Sequence, residues 1–140
     1  MPAAVVRAMR RAFTKNTKNT QNPPQVLAEF AEQCLAPGEA AFASQAREAF
    51  AVPAAAGTLA AGLDYLLHQD LRPLFSRLPA GAVVIQGQED RIVEPAQGRY
   101  LQEQLSGARL NLLPAAGHLP FLTQAAAFNG IIEQCLSTAS

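Results

Sequence analysis

The chain has 140 residues, 49% of them hydrophobic, and eleven basic side chains balance eleven acidic ones. That size accommodates one ordinary domain with a useful core, and the composition excludes an intrinsically disordered chain. A net charge of zero argues against general nucleic-acid binding, and no apolar run approaches the roughly 20 residues that span a bilayer.

The start, Met1-Pro2-Ala3-Ala4 followed by Arg7 and Arg10-Arg11, lacks the long apolar core of a secretory signal, so the expected location is cytoplasmic. The charge is unevenly spread. Residues 1–28 carry Arg7, Arg10, Arg11, Lys15 and Lys18 and no acid, a local basic start that suits an acidic partner. Cys34 and Cys135 both fall on apolar helical faces, which predicts buried thiols rather than a disulfide; neither has the spacing of a redox or zinc motif.

In chain order, the first seventy residues read as helices separated by turns. Pro2 suits a first helical turn, with Val5, Val6, Met9 and Phe13 forming its apolar face. Residues 14–22 are polar, with a Lys-Asn-Thr near-repeat, and read as a loop. Pro23-Pro24 opens a second helix carrying Val26, Leu27, Phe30 and Cys34 at near-helical intervals, and Pro37-Gly38 breaks it. A third helix is expected from Glu39 to Phe50. A fourth starts near Pro53 and places Leu59, Leu63, Leu66 and Leu67 on one side.

The pattern then changes. Ala82 to Ile85 is a short continuous apolar run, as expected of a strand buried on both faces. Pro95 to Leu105 reads as a helix ended by Gly107, Leu110 to Leu113 as a second strand, and the stretch from Phe121 to Cys135 as a closing helix. Helical crossovers between strands imply a parallel α/β layer. Two parallel strands alone make a poor sheet, so further strands are expected from an upstream segment, another chain or a second copy of this one.

Two turns carry the chemistry. The first is Gly87-Gln88-Glu89-Asp90-Arg91-Ile92-Val93, with an acid just after a strand; the second is Pro114-Ala115-Ala116-Gly117-His118-Leu119-Pro120, with a histidine just after the next. Asp90 alone reads more readily as the start of a surface turn beside Glu89, and a lone histidine is more often a cap or a core residue. Their pairing one crossover apart favours catalysis. The pair resembles the last two triad positions of an α/β-hydrolase, whose order along the chain is Ser, Asp or Glu, then His. That resemblance implies Asp90 as triad acid and His118 as general base, which passes the proton on to the leaving alcohol.

No Gly-x-Ser-x-Gly elbow occurs in the chain, and Ser44, Ser76, Ser106, Ser137 and Ser140 all lack its strand-to-helix setting. His68 sits at a helix carboxyl end, which accounts for it. No clustered acids, cysteines or histidines support a metal site, no glycine-rich phosphate loop is present, and no cofactor is expected.

The segment from Gly62 to Arg72 looks like the passage from lid to core in the carboxylesterases that demethylate the pimeloyl-carrier-protein methyl ester in biotin synthesis. The resemblance implies a helical lid over residues 1–70 and a carboxyl-terminal α/β core segment over 71–140. Together they form a partial α/β-hydrolase fold that supplies Asp and His but lacks the serine. It also implies that Arg7, Arg10 and Arg11, at i, i+3 and i+4, meet an acyl carrier protein; an ordinary solvated basic face is the alternative. Phe30, Phe42 and Phe50 either line an acyl channel or pack as core. Two other functions stay open: a non-catalytic helical module that binds an acidic partner, and a self-associating hydrolase remnant.

Overall fold

The computed structural model describes residues 3–14, 23–51 and 55–137. The expectations at Pro2, Lys15, Lys18, Pro53 and Ser140, and the loop beyond Thr14, lie outside them. The helical half comprises α1 (Ala3–Thr14), α2 (Pro23–Gln33), α3 (Ala43–Phe50) and α4 (Ala56–His68), with a 3₁₀ helix at Pro37–Phe42. A second 3₁₀ helix, Arg72–Arg77, leads into β1 (Val83–Gly87), α5 (Pro95–Gln104), β2 (Arg109–Leu113), α6 (Pro120–Thr123) and α7 (Ala125–Ser137). The strands pair in parallel, from Val83 opposite Arg109 to Gly87 opposite Leu113.

Three expectations need correction. The third helix does not begin at Glu39: the chain runs as 3₁₀ to Phe42, and α3 starts at Ala43. The reason is local, because the Glu39 carboxylate turns back to accept the Ala36 N–H at 2.8 Å, which a tight turn permits. The closing helix is broken at Gln124, whose backbone leaves helical geometry while its Nε2 donates to the Pro114 carbonyl at 2.7 Å. β1 is also not buried on both faces. Val83, Val84 and Ile85 are half-buried, and burial is complete only at Gln86 and Gly87. A two-stranded layer leaves its edges and part of its faces without cover among the described residues.

Two apolar clusters organise the molecule. Val6 and Phe13 of α1, Val26 of α2, and Ala60 and Leu63 of α4 form the first. The Arg10–Asp64 ion pair closes its rim and holds the Asp64 carboxyl below the ordinary carboxylate range. The second cluster joins the two halves of the chain. Ala31, Cys34, Leu35 and Ala46 come from the helical half, and Ile92 and Leu119 come from the turns that carry Asp90 and His118. Phe30, Phe42 and Phe50 pack against this cluster, with the Phe30 and Phe50 rings edge to face at 5.4 Å.

Cys34 is fully buried, and Cys135 on α7 is half-buried. Among the described residues no helix is long and apolar enough to cross a membrane.

Within the second cluster Ala46, like Ala31, has no exposed surface, and it lies where α3 meets α2. Ala46→Leu inserts volume into this contact and should destabilise the chain by about 1–3 kcal/mol. The check is urea unfolding followed by circular dichroism, where the midpoint should fall without a change in slope.

Candidate active site

The site forms where the chain leaves the carboxyl ends of the two strands, the position at which open α/β sheets gather ligands. Beyond the ladder, Gln88 N–H donates to the Leu113 carbonyl at 2.8 Å and Glu89 N–H to the Ala116 carbonyl at 2.9 Å. The acid turn is thereby laced to the histidine turn. Gly87 makes this approach possible, because a Cβ there would overlap the carbonyl oxygens of Ala116 and Gly117. Ala115, in the histidine turn, adopts φ 54°, a left-handed conformation that costs a non-glycine residue roughly 1–2 kcal/mol.

Asp90 is 6% exposed, and its carboxylate is well supplied with donors. Oδ1 accepts the N–H groups of Ile92 at 2.8 Å and Val93 at 2.9 Å. Oδ2 lies 2.8 Å from Nδ1 of His118. An ionised carboxylate only accepts, so Nδ1 carries the shared proton and Nε2 keeps its lone pair. Buried Gln86 braces the same turn, donating from Nε2 to the Val93 carbonyl at 2.6 Å.

The imidazole is about one-third exposed and lines an open cleft of about 230 Å³. Val84, Ile85, Val93, Gly98 and Leu101 give that cleft its mostly apolar wall. Among the described residues, Asp90 is the side-chain partner of His118. A ring with its tautomer fixed on one side and a free lone pair on the other can take a proton from a hydroxyl and return it to a leaving group.

The histidine turn is also held from the helical half, by contacts that sequence reasoning did not anticipate. His118 N–H donates to the Cys34 carbonyl at 2.7 Å, and Gly117 N–H donates to Glu39 Oε2 at 3.0 Å. Gly117 must be small, since a Cβ would collide with backbone atoms of Cys34, Leu35 and Ala36. The one sequence signal for this was an acid placed just after Pro37-Gly38, in a position to cap the turn.

Other candidate residues fall elsewhere. Arg7 and Arg11 are exposed on α1, and the partly exposed Arg10 pairs with Asp64 of α4. His68 contacts the Asp64 carbonyl through Nδ1 at 2.8 Å, as a histidine at the end of a helix can. Among the described residues no three of His, Cys, Asp or Glu come together as metal ligands.

Over residues 1–131 the sequence matches the Alpha/beta hydrolase family. The chain belongs to that family. Within it, this hydrolase chain is 36% identical over 66 residues to the pimeloyl-[acyl-carrier protein] methyl ester esterase of Neisseria meningitidis serogroup B, a match covering 47% of the chain and 26% of that protein. The enzyme of the same name from Nitrosomonas europaea is 37% identical over 71 residues, covering 51% and 28%.

Among solved structures, an esterase from Exiguobacterium antarcticum superposes with a TM-score of 0.82 at 20% identity, covering 98% of this chain and 49% of that one. The enol-lactonase from Burkholderia xenovorans LB400 gives 0.76 at 25% identity, covering 96% and 50%. The chain thus spans about half the length of these solved structures, and its matched stretch about a quarter of the curated relatives. Its architecture is a partial α/β-hydrolase fold, mostly helical with two parallel strands.

Packing around Gly87 and Cys34 leads to three predictions. Gly87→Ala forces the acid and histidine turns apart and should destabilise the chain by about 3 kcal/mol or more, measured as a fall in the urea midpoint. Burial, reinforced by the nearby Asp90 charge, pushes the Cys34 thiol up to about 12. A free thiol ionises near about 8.5, so the unfolded state loses this proton first. Cys34 should therefore make stability decline as pH rises from about 8.5 toward 12. Below that window, iodoacetamide should alkylate Cys34 at least about 100-fold more slowly than a free thiol until the chain unfolds. Site-resolved mass spectrometry across a pH series is the check.

Proposed function

We propose that this chain supplies the acid and the base of a serine carboxylesterase, with Asp90 orienting His118 and His118 shuttling the proton. The observation that carries this reading is the 2.8 Å contact between a buried, donor-saturated carboxylate and a partly exposed imidazole lining an apolar cleft. The serine belongs to a segment outside this chain, since none of its own serines sits in a nucleophile elbow. It attacks the ester carbonyl while His118 Nε2 takes its proton; the imidazolium, stabilised by Asp90, then protonates the departing alcohol. The oxyanion donors come with the serine, so the chain alone is not expected to turn over esters.

The substrate we propose is a methyl ester on a carrier-bound acyl chain, the type named for the relatives from Neisseria and Nitrosomonas. The acidic carrier docks on Arg7 and Arg11, which remain exposed while Arg10 is spent on Asp64. Phe30 faces two ways in this scheme, packing on the central cluster and lining a small open cavity between α1 and α2.

The test combines the chain with a separately produced hydrolase segment that carries a Gly-x-Ser-x-Gly elbow. A fluorophosphonate probe should label the assembly and not the chain alone. Ester hydrolysis should fall by about 10³–10⁴-fold in Asp90→Asn and at least as far in His118→Ala. Reversing Arg7 and Arg11 to glutamate should raise KM for the carrier-bound ester and leave a small free methyl ester unaffected. Labelling of the isolated chain, or full activity in His118→Ala, would overturn the assignment.

A further inference from the structure

Glu39 is the buried acid that the hydrolytic chemistry does not use. It is 5% exposed, and its Oε2 accepts both the Ala36 N–H at 2.8 Å and the Gly117 N–H at 3.0 Å. An ordinary helix cap serves only its own turn from the surface. This one reaches across 78 residues of chain, from the lid-like half to the residue preceding the histidine.

The neighbouring contact makes the arrangement specific. Two successive N–H groups of the histidine turn, on Gly117 and His118, both end on the segment from Cys34 to Glu39. The sheet side holds the same turn through the Ala116 carbonyl, which receives Glu89 N–H. The backbone that aims the imidazole is thus clamped between the acid turn and the start of the 3₁₀ helix. Glu39 touches neither the ring nor Asp90, so any influence on them passes through the Gly117–His118 backbone.

We propose that Glu39 is a positioning residue, whose carboxylate locks the His118 turn against the helical half and so keeps Nδ1 of the imidazole on Asp90. This rests on reading the Asp90–His118 pair as the proton-transfer dyad. It predicts that the ring's tautomer depends on a hydrogen-bond acceptor at position 39, with no need for a charge there. An amide oxygen can accept the same two N–H groups; a methyl group can accept neither.

The experiment is a long-range ¹H–¹⁵N correlation spectrum of the imidazoles in the full ¹⁵N-labelled chain, at a pH where both histidines are neutral. His118 should carry its proton on Nδ1. His68, whose Nδ1 contacts a carbonyl on α4, serves as internal control. In Glu39→Ala, His118 should revert toward the tautomer mixture of free imidazole while His68 stays unchanged; in Glu39→Gln both rings should match the wild type.

An unchanged His118 in Glu39→Ala would overturn the proposal. So would equal disturbance of both rings, which would make Glu39 a residue of the fold as a whole. Loss of the His118 signature in Glu39→Gln would overturn it too, because the acceptor is still present. A wild-type His118 without an Nδ1 proton would reject the dyad itself, a failure visible before any variant is made.

Discussion

The structure depends on a backbone contact between three segments distant in sequence. The turn after β1, the turn after β2 and the chain leaving α2 meet at separations that exclude a Cβ at Gly87 and at Gly117. At such distances each polar backbone group must find a partner within the junction, and the Leu113, Ala116 and Cys34 carbonyls and the Glu39 carboxylate provide them. Ile92 and Leu119 then fill the apolar space beneath, together with Cys34, Leu35 and Ala46. Packing and hydrogen bonding thus converge on one small volume, and the candidate catalytic pair sits at its surface.

That arrangement explains how the helical half relates to the pair. A lid that merely covered a site would touch it through side chains. Here the segment after α2 instead receives two consecutive N–H groups of the histidine turn, so displacement of the helical half would leave buried donors without partners. The core shared across the halves makes the same point in apolar terms. Residues that would be surface on either half alone become interior in the whole chain.

The sheet behaves differently. Two parallel strands cannot close their own edges, and the half-buried Val83, Val84 and Ile85 show how little of the expected cover is present among the described residues. Solved hydrolases of similar fold are about twice as long as this chain. The likeness therefore extends over the helical and final strand–helix elements and stops there.

Much of this was legible in the residues themselves. The shift from helical spacing to short apolar runs located both strands within two residues of their observed bounds, because local periodicity reports which face of an element is covered. The paired turns singled out Asp90 and His118, because an acid after one strand and a histidine after the next resemble the order of the hydrolase triad. Sequence alone did not show that Arg10 would pair with Asp64, or that Glu39 would abandon a helical turn to cap Ala36 and Gly117. Nor could it set the 2.8 Å separation of acid and imidazole. The reason is physical: periodicity and turn chemistry act over a few neighbouring residues, whereas the partners of a buried carboxylate or a surface arginine are chosen by whichever distant segment packs against it. Residue types and local turns were decided by the sequence; which of those groups share a proton or a backbone donor was decided by the tertiary structure.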